Sequence, residues 1–215
     1  VDKITEGISN PIPTHFDPLK FEFVKADITN YELIFHLLED NKINCIVHAA
    51  AESHVDRSIT DGDSFILSNF NGSYNLLKAC KKYLQVVDNK DFIFLYTNTD
   101  ECYGSLKEGE KPWEEGHKYA PRNLYSSTKA AAAFLINAYI NTFNFPAIVL
   151  HLSNNYGPFQ AREKFLSKAI HNGFRELIIP LYSEGREKRE WLWVKDSCEA
   201  IYLLLNLKRL FLNLV

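Results

Sequence analysis

The chain has no methionine, not even at position 1, and only four cysteines, at 45, 80, 102 and 198. No two cysteines form a C-x-x-C pair, so the spacing gives no support to a zinc site, and no metal is expected. Cys45 and Cys80 sit in apolar segments, which reads as free thiols in a reducing compartment, the cytoplasm. No apolar run is long enough to span a bilayer, and no secretory signal opens the chain. There is no basic stripe, and the net charge is −3, which argues against nucleic acid as a partner. The charged stretch "EGREKREW" (184–191) alternates in sign and reads chiefly as a solvated loop. Internal repeats and low-complexity tracts are absent.

What is present fits a globular α/β protein. Of 215 residues, 46% are apolar and 24% charged, enough to bury one large core, or one core and part of a second. Short apolar runs alternate with helical patterns. "FEFVKADI" (21–28), "INCIVHAAA" (43–51), "DFIFLYTNT" (91–99) and "FPAIVLHLSNNYG" (145–157) read as strands with their loops. "NYELIFHLLEDN" (30–41), "SFILSNFNGSYNLLKACKKYL" (64–84) and "LYSSTKAAAAFLINAYINTF" (124–143) read as helices. Apolar strands separated by helices predict a doubly wound parallel sheet, Rossmann-like, covered on both faces. Ligands of such sheets bind beyond the carboxyl ends of the strands. Beyond residue 158 a helix, a short strand at "LIIPLY" (177–182) and a last helix at "DSCEAIYLLLNL" (196–207) suggest part of a smaller substrate lobe. The expected division is 1–157 for a cofactor-binding domain and 158–215 for that lobe and elements returning to the main domain. "VDKIT", at the start, reads as a strand end, so upstream residues are expected.

Two groups of residues carry chemistry. Asp100 and Glu101 follow an apolar strand directly, and a turn does not need two adjacent like charges. Tyr125 and Lys129 are four apart on a helix, with Cβ atoms roughly 5–6 Å apart. A tyrosine is a poor base at its ordinary pKa of about 10, and a nearby ammonium favours the phenolate. Y-x-x-x-K alone is weak, since many exposed helices carry it by chance.

Taken in order, "HAAAESHVDRSI" (48–59), "TDECYG" (99–104), "YSSTKAAAA" (125–133), "SNNYGPFQ" (153–160) and "REWLWVKD" (189–196) resemble the dTDP-glucose 4,6-dehydratase family of extended short-chain dehydrogenases. The likeness covers nearly the whole chain. It implies NAD as cofactor and a nucleoside-diphosphate sugar as substrate. It assigns Asp2 to the adenosine ribose, Asp27 and Ile28 to the adenine, and Ala49, Ala50 and Ala51 to close backbone approach along the cofactor. Asn69 would support the cofactor pocket. Ser53 and His54 would lie near the hexose, and Asn154 and Arg189 on the diphosphate, which suits the forked donors of arginine. Thr99 would hold the C4 oxygen, with Tyr125 and Lys129 serving both catalysis and cofactor binding. Glu101 would be the base and Asp100 the acid of a water elimination. The family's glycine-rich phosphate loop is absent from the chain, and upstream residues are expected to carry it. Cys102, Asn98 and His151 stand where the family usually has valine, serine and arginine, and "ITEGIS" (4–9) replaces a motif that usually carries a tyrosine.

The reaction implied is dehydration of a nucleoside-diphosphate glucose, with dTDP-glucose as the first candidate, to the 4-keto-6-deoxy sugar. A UDP-sugar 4-epimerase or decarboxylase, and a non-catalytic NAD-sensing protein, are the alternatives on the same fold. Apolar residues on more than one face of the two long helices, with the resemblance, imply a homodimer.

Overall fold

The computed structural model describes residues 1–4, 17, 19–87, 89 and 91–212. Of "ITEGIS", only Ile4 falls within them. Three strands form a parallel sheet in the order β1 (Cys45–His48), β2 (Ile93–Thr99), β3 (Ala147–Leu152). The register places His48 opposite Tyr96, and Thr99 opposite Leu152, so the three carboxyl ends lie along one edge.

Helix α1 (Tyr31–Asp40) precedes β1. The Asn30 side chain caps it by accepting from the Leu33 N–H at 3.2 Å, and Ile34 and Leu38 are its buried residues. Two short helices, α2 (Val55–Thr60) and α3 (Gly62–Phe65), lead into a π-helical segment at Ile66–Asn71 and then α4 (Gly72–Val86). Helix α5 (Leu124–Phe143) connects β2 to β3. Asn123 and Ser126 close a capping box at its start, worth about 1 kcal/mol. The run of four alanines at 130–133 favours helix and lets it lie close to its neighbours. It ends at Asn144, whose φ of 51° is left-handed.

Phe94 and Tyr96 of β2 join the core formed with Leu77, Cys80 and Tyr83 of α4 and Ala132, Ala133 and Ile136 of α5. Each fully buried large side chain there contributes about 1.5–3 kcal/mol. Ile93 and Leu95 alternate to the opposite face and are buried too. Helix α7 (Val194–Leu212) contacts β2, and also the two-stranded parallel sheet of β4 (Asn154–Tyr156) and β5 (Trp191–Trp193). Helix α6 (Phe165–Gly173) lies between β4 and β5 in the chain.

The expected architecture is present, with three local differences. Among the described residues, 21–28 form only a bridge, Lys25 to Asp2, with Asp2 N donating to Val24 O at 3.1 Å and Ala26 N to Asp2 O at 3.0 Å. The segment 145–157 is two strands in two sheets, broken at Ser153. No strand forms at 177–182, where Pro180 lacks a donor and the Leu177 N–H and Ile178 carbonyl bond Asn172 instead.

Candidate active site

The end of β2 is a tightly tied turn. Thr99 Oγ1 accepts from the Glu101 N–H at 3.3 Å and donates to Asp100 Oδ1 at 3.2 Å. The 3-10 turn Asp100–Tyr103 ends at Gly104, whose φ is 96°. A Cβ there would lie 2.6 Å from the Ala120 carbonyl oxygen, so glycine is required on both counts. The Cys102 thiol is buried beneath, donating to Asn98 Oδ1 at 3.2 Å. That fixes the Asn98 amide nitrogen as donor to His151 Nε2 at 3.0 Å, and Tyr119 OH meets the same nitrogen at 2.7 Å. Burial lowers the His151 pKa, so a neutral hydrogen-bonded ring occupies this strand position.

Opposite this turn stands the first part of α5. Lys129 is 4% exposed, and its ammonium donates to the Thr97 carbonyl at 2.7 Å, 4.2 Å from the centre of the Tyr96 ring. Burial pulls its pKa down from 10.5 to about 8. Tyr125 departs from expectation. Burial, followed by the charge of Glu101, raises its phenol pKa, while a hydrogen bond with Thr99 acts in the opposite sense. The Lys129 ammonium is directed at the Thr97 carbonyl and the Tyr96 ring. Asp100 is raised as well, by burial first and then by Glu101, against its hydrogen bond from Thr99.

The loop after β1 closes a third side. Asn69, 1% exposed, accepts from the Glu52 N–H at 2.8 Å and donates to the Glu52 carbonyl and Thr128 Oγ1, both at 3.0 Å. Its polar atoms are used inside the protein, so it holds the loop to α5 from beneath rather than facing the cleft. Lys164, from the chain beyond β4, donates to Ser53 O at 2.7 Å and Ser53 Oγ at 3.2 Å. Arg57 meets Glu163 at 2.8 Å, and His54 lies 4.0 Å from the same carboxylate.

These parts enclose a cleft of about 840 Å³. Ala49, Ala51, Ser53, His54, Thr99, Glu101, Tyr125, Lys129, Asn154 and Arg189 line it together. Ala50 and Asp100 are not on its wall; Asp100 reaches it through Thr99. Asp2, Asp27 and Ile28 also lie off it. Asp27 accepts from Thr29 and pairs with Lys3 at 3.1 Å. Burial would raise its pKa, but those hydrogen bonds and the Lys3 charge outweigh it and lower it. Ile28 is pressed against α4, where a Cβ on Gly72 would fall 2.6 Å from its Cδ1. Arg189 pairs with Glu187 at 2.9 Å and Asn154 donates to Glu190 O at 3.3 Å, so both are engaged within the charged loop.

Lys164 and Asn123 are wall residues that the motifs did not single out. Asn123 had a readable signal, an N-cap residue directly before a helical pattern; Lys164 had none. Ala49 and Ala51 carry only methyl groups, so the wall there leaves the backbone open to a cofactor such as NAD, and His54 Nδ1 on the same wall is buried without a partner among the described residues.

The fold and cleft define a Rossmann-like protein of the short-chain dehydrogenase type. A family model described as GDP-mannose 4,6 dehydratase matches residues 5–210, and the chain belongs to that family. It is 37% identical over 190 residues to dTDP-glucose 4,6-dehydratase of Haemophilus influenzae, covering 87% of this chain and 56% of that protein. It is 39% identical over 186 residues to the Xanthomonas campestris enzyme of the same name, covering 85% and 53%. Among solved structures, a Streptomyces venezuelae dTDP-glucose 4,6-dehydratase with NAD and TYD bound superposes with a TM-score of 0.81 at 34% identity, covering 90% of this chain and 56% of that one. The chain thus spans about half the length of the relatives it matches.

Proposed function

We propose that the native protein dehydrates a nucleoside-diphosphate glucose, with dTDP-glucose as the first candidate, to its 4-keto-6-deoxy derivative. The observation that carries this reading is the union, on one cleft, of the Thr99–Asp100–Glu101 turn with Tyr125 and Lys129. Bound NAD would supply a hydride acceptor for C4 and return that hydride to C6. Ala49, Ala51, Tyr125 and Lys129 would hold it, with Asp2, Asp27 and Ile28 serving its adenosine end.

Thr99 and Tyr125 would orient the C4 oxygen, and Tyr125 would take its proton. A ketone at C4 acidifies the C5 hydrogen, because the resulting carbanion is delocalised onto oxygen. Glu101 would remove that hydrogen, and Asp100 would protonate the C6 hydroxyl as it leaves as water. The raised pKa of Asp100 suits an acid. Ser53, His54, Asn154 and Arg189 would receive the hexose and diphosphate, Arg189 exchanging Glu187 for phosphate oxygens.

The same reading divides the chain at residue 157 into cofactor and substrate parts, and places the protein in the cytoplasm as a homodimer, free of nucleic acid and membrane. Among the described residues, no helix is long and apolar enough to cross a membrane. Support for pairing comes from apolar side chains left exposed on the long helices, among them Tyr74, Val86 and Phe134, the last 60% exposed. The native protein, given dTDP-glucose and UDP-glucose separately, is expected to yield a product lighter by one water from one of them. An isomer of unchanged mass would make it an epimerase, and binding without turnover a sensor. Substituting Glu101→Gln should block water loss and exchange of the C5 hydrogen with solvent while leaving C4 oxidation possible; parental C5 exchange would remove Glu101 as the base.

A further inference from the structure

One amide joins the two halves of the cleft. Asn123 Oδ1 accepts from the Ser126 N–H at 2.7 Å, capping α5. A backbone donor must meet an oxygen, so the orientation of the amide is fixed and its nitrogen faces the other way. That nitrogen donates to Glu101 Oε2 at 3.0 Å. Both residues line the cleft, and Tyr125 follows two positions later on the same helix. Among the described residues, nothing donates to Glu101 Oε1.

We propose that Asn123 is a positioning residue for the proton abstraction: it ties one oxygen of Glu101 to the start of α5 and leaves the other free to act on substrate. The inference rests on the reading of Glu101 as the base. Its physical content is a fixed spacing. Glu101 sits on the turn after β2 and Tyr125 on α5, and the sheet alone does not lock one against the other. A glutamate side chain without the Asn123 donor can swing through several rotamers, few of which present a carboxylate oxygen to C5. The reacting groups must be held near attack geometry for full rate, so a small displacement is costly.

The two jobs of the amide are separable, because asparagine, serine and aspartate cap helices about equally well. Asn123→Ser keeps a cap oxygen but has no nitrogen to offer Glu101. Asn123→Asp keeps cap and shape but sets a carboxylate against a carboxylate. Both variants should melt within a few degrees of the parent. Single turnovers of both variants, made in the full-length native protein, should show C4 oxidation at near-parental rate. C5 hydrogen exchange should fall about tenfold or more in Asn123→Ser, the scale of a lost hydrogen bond to a charged group, and further in Asn123→Asp. The Michaelis constant should move little. Parental C5 exchange in Asn123→Ser, or equal losses of C4 oxidation and C5 exchange, would overturn the proposal and leave Asn123 a cap. Glu101→Gln measured alongside keeps the two readings apart: if it exchanges C5 normally the base assignment has failed, and if it does not, a normal Asn123→Ser refutes only the positioning role.

Discussion

Lys129 carries a buried charge, and removing it should make the protein more stable as well as inactive. The side chain is 4% exposed and its pKa is lowered from 10.5 to about 8, chiefly by burial. At about 1.36 kcal/mol per pKa unit, holding the ammonium in the folded state costs on the order of 3 kcal/mol at neutral pH. Lys129→Met has similar length and no charge. It would leave the Thr97 carbonyl without this donor and the Tyr96 ring without its cation, a loss of about 1–2 kcal/mol. The net gain is about 1–2 kcal/mol, or a melting temperature higher by roughly 2–8 °C for a chain of this size. The sign of the pH dependence follows from the lowered pKa. Below about pH 8 both folded and unfolded chains hold the proton, and the cost is constant. Between about 8 and 10.5 the unfolded chain holds a proton that the folded one has released, so parental stability rises with pH relative to the variant. Urea titrations of both proteins at about pH 7 and about pH 10 should therefore show an advantage for Lys129→Met at the lower pH that is lost at the higher. A variant less stable than the parent at neutral pH, or an advantage that widens, would refute the claim that this charge is held at a cost.

Tyr125→Phe should abolish C4 oxidation by about 10²–10⁴-fold while substrate still binds, as calorimetry and single-turnover absorbance would show. Because the Tyr125 pKa is raised, the phenolate fraction grows with pH, and the parental rate of C4 oxidation should climb into the alkaline range; a rate that falls there would contradict a tyrosine base. Asn69→Ala removes both backbone partners of Glu52 and one of the two hydrogen bonds of Thr128 Oγ1, and should cost about 2–4 kcal/mol, seen as a lower urea midpoint with unchanged slope. A loss under about 0.5 kcal/mol would mean that the loop finds other partners.

The alternation of strands and helices was legible because burial leaves a period behind it. Helix α5 begins and ends where the pattern at 124–143 says, since Asn123 and Asn144 punctuate it. Residues 21–28 have strand-like alternation, but a strand also needs paired neighbours, and among the described residues only Asp2 pairs with them. "LIIPLY" has strand propensity, yet Ile178 is 89% exposed and no sheet edge receives it. Propensity is a weak claim until packing supports it. At the site, the pairs Asp100–Glu101 and Tyr125–Lys129 were visible as spacing. Where the Lys129 ammonium goes, and that Tyr125 is raised rather than lowered, depends on Thr97, Tyr96 and Glu101 meeting in space. The contacts of Lys164 with Ser53, and of Asn123 with Glu101, join residues 111 and 22 positions apart, and no local pattern encodes them. Apolar positions on several faces of 64–84 also mix two sources, because the π-helical segment at Ile66–Asn71 changes the phase of the helix near its start.

That segment has a consequence for how such chains can change. A π turn amounts to one residue added to an α-helix. Deleting a single residue between Ile66 and Asn71 would leave a regular helix, locally unstrained, so folding would not censor the event strongly. The same deletion would rotate one half of the helix against the other by about 100°. Asn69 could then no longer face Glu52 and Thr128 while α4 keeps Gly72 against Ile28. The extra residue is thus a hidden coordinate, one that sets the angle between the loop holding Ser53 and the helix bearing on Ile28. A one-residue gap there, in an otherwise matching sequence, would signal a re-aimed pocket although every side chain named for chemistry were retained.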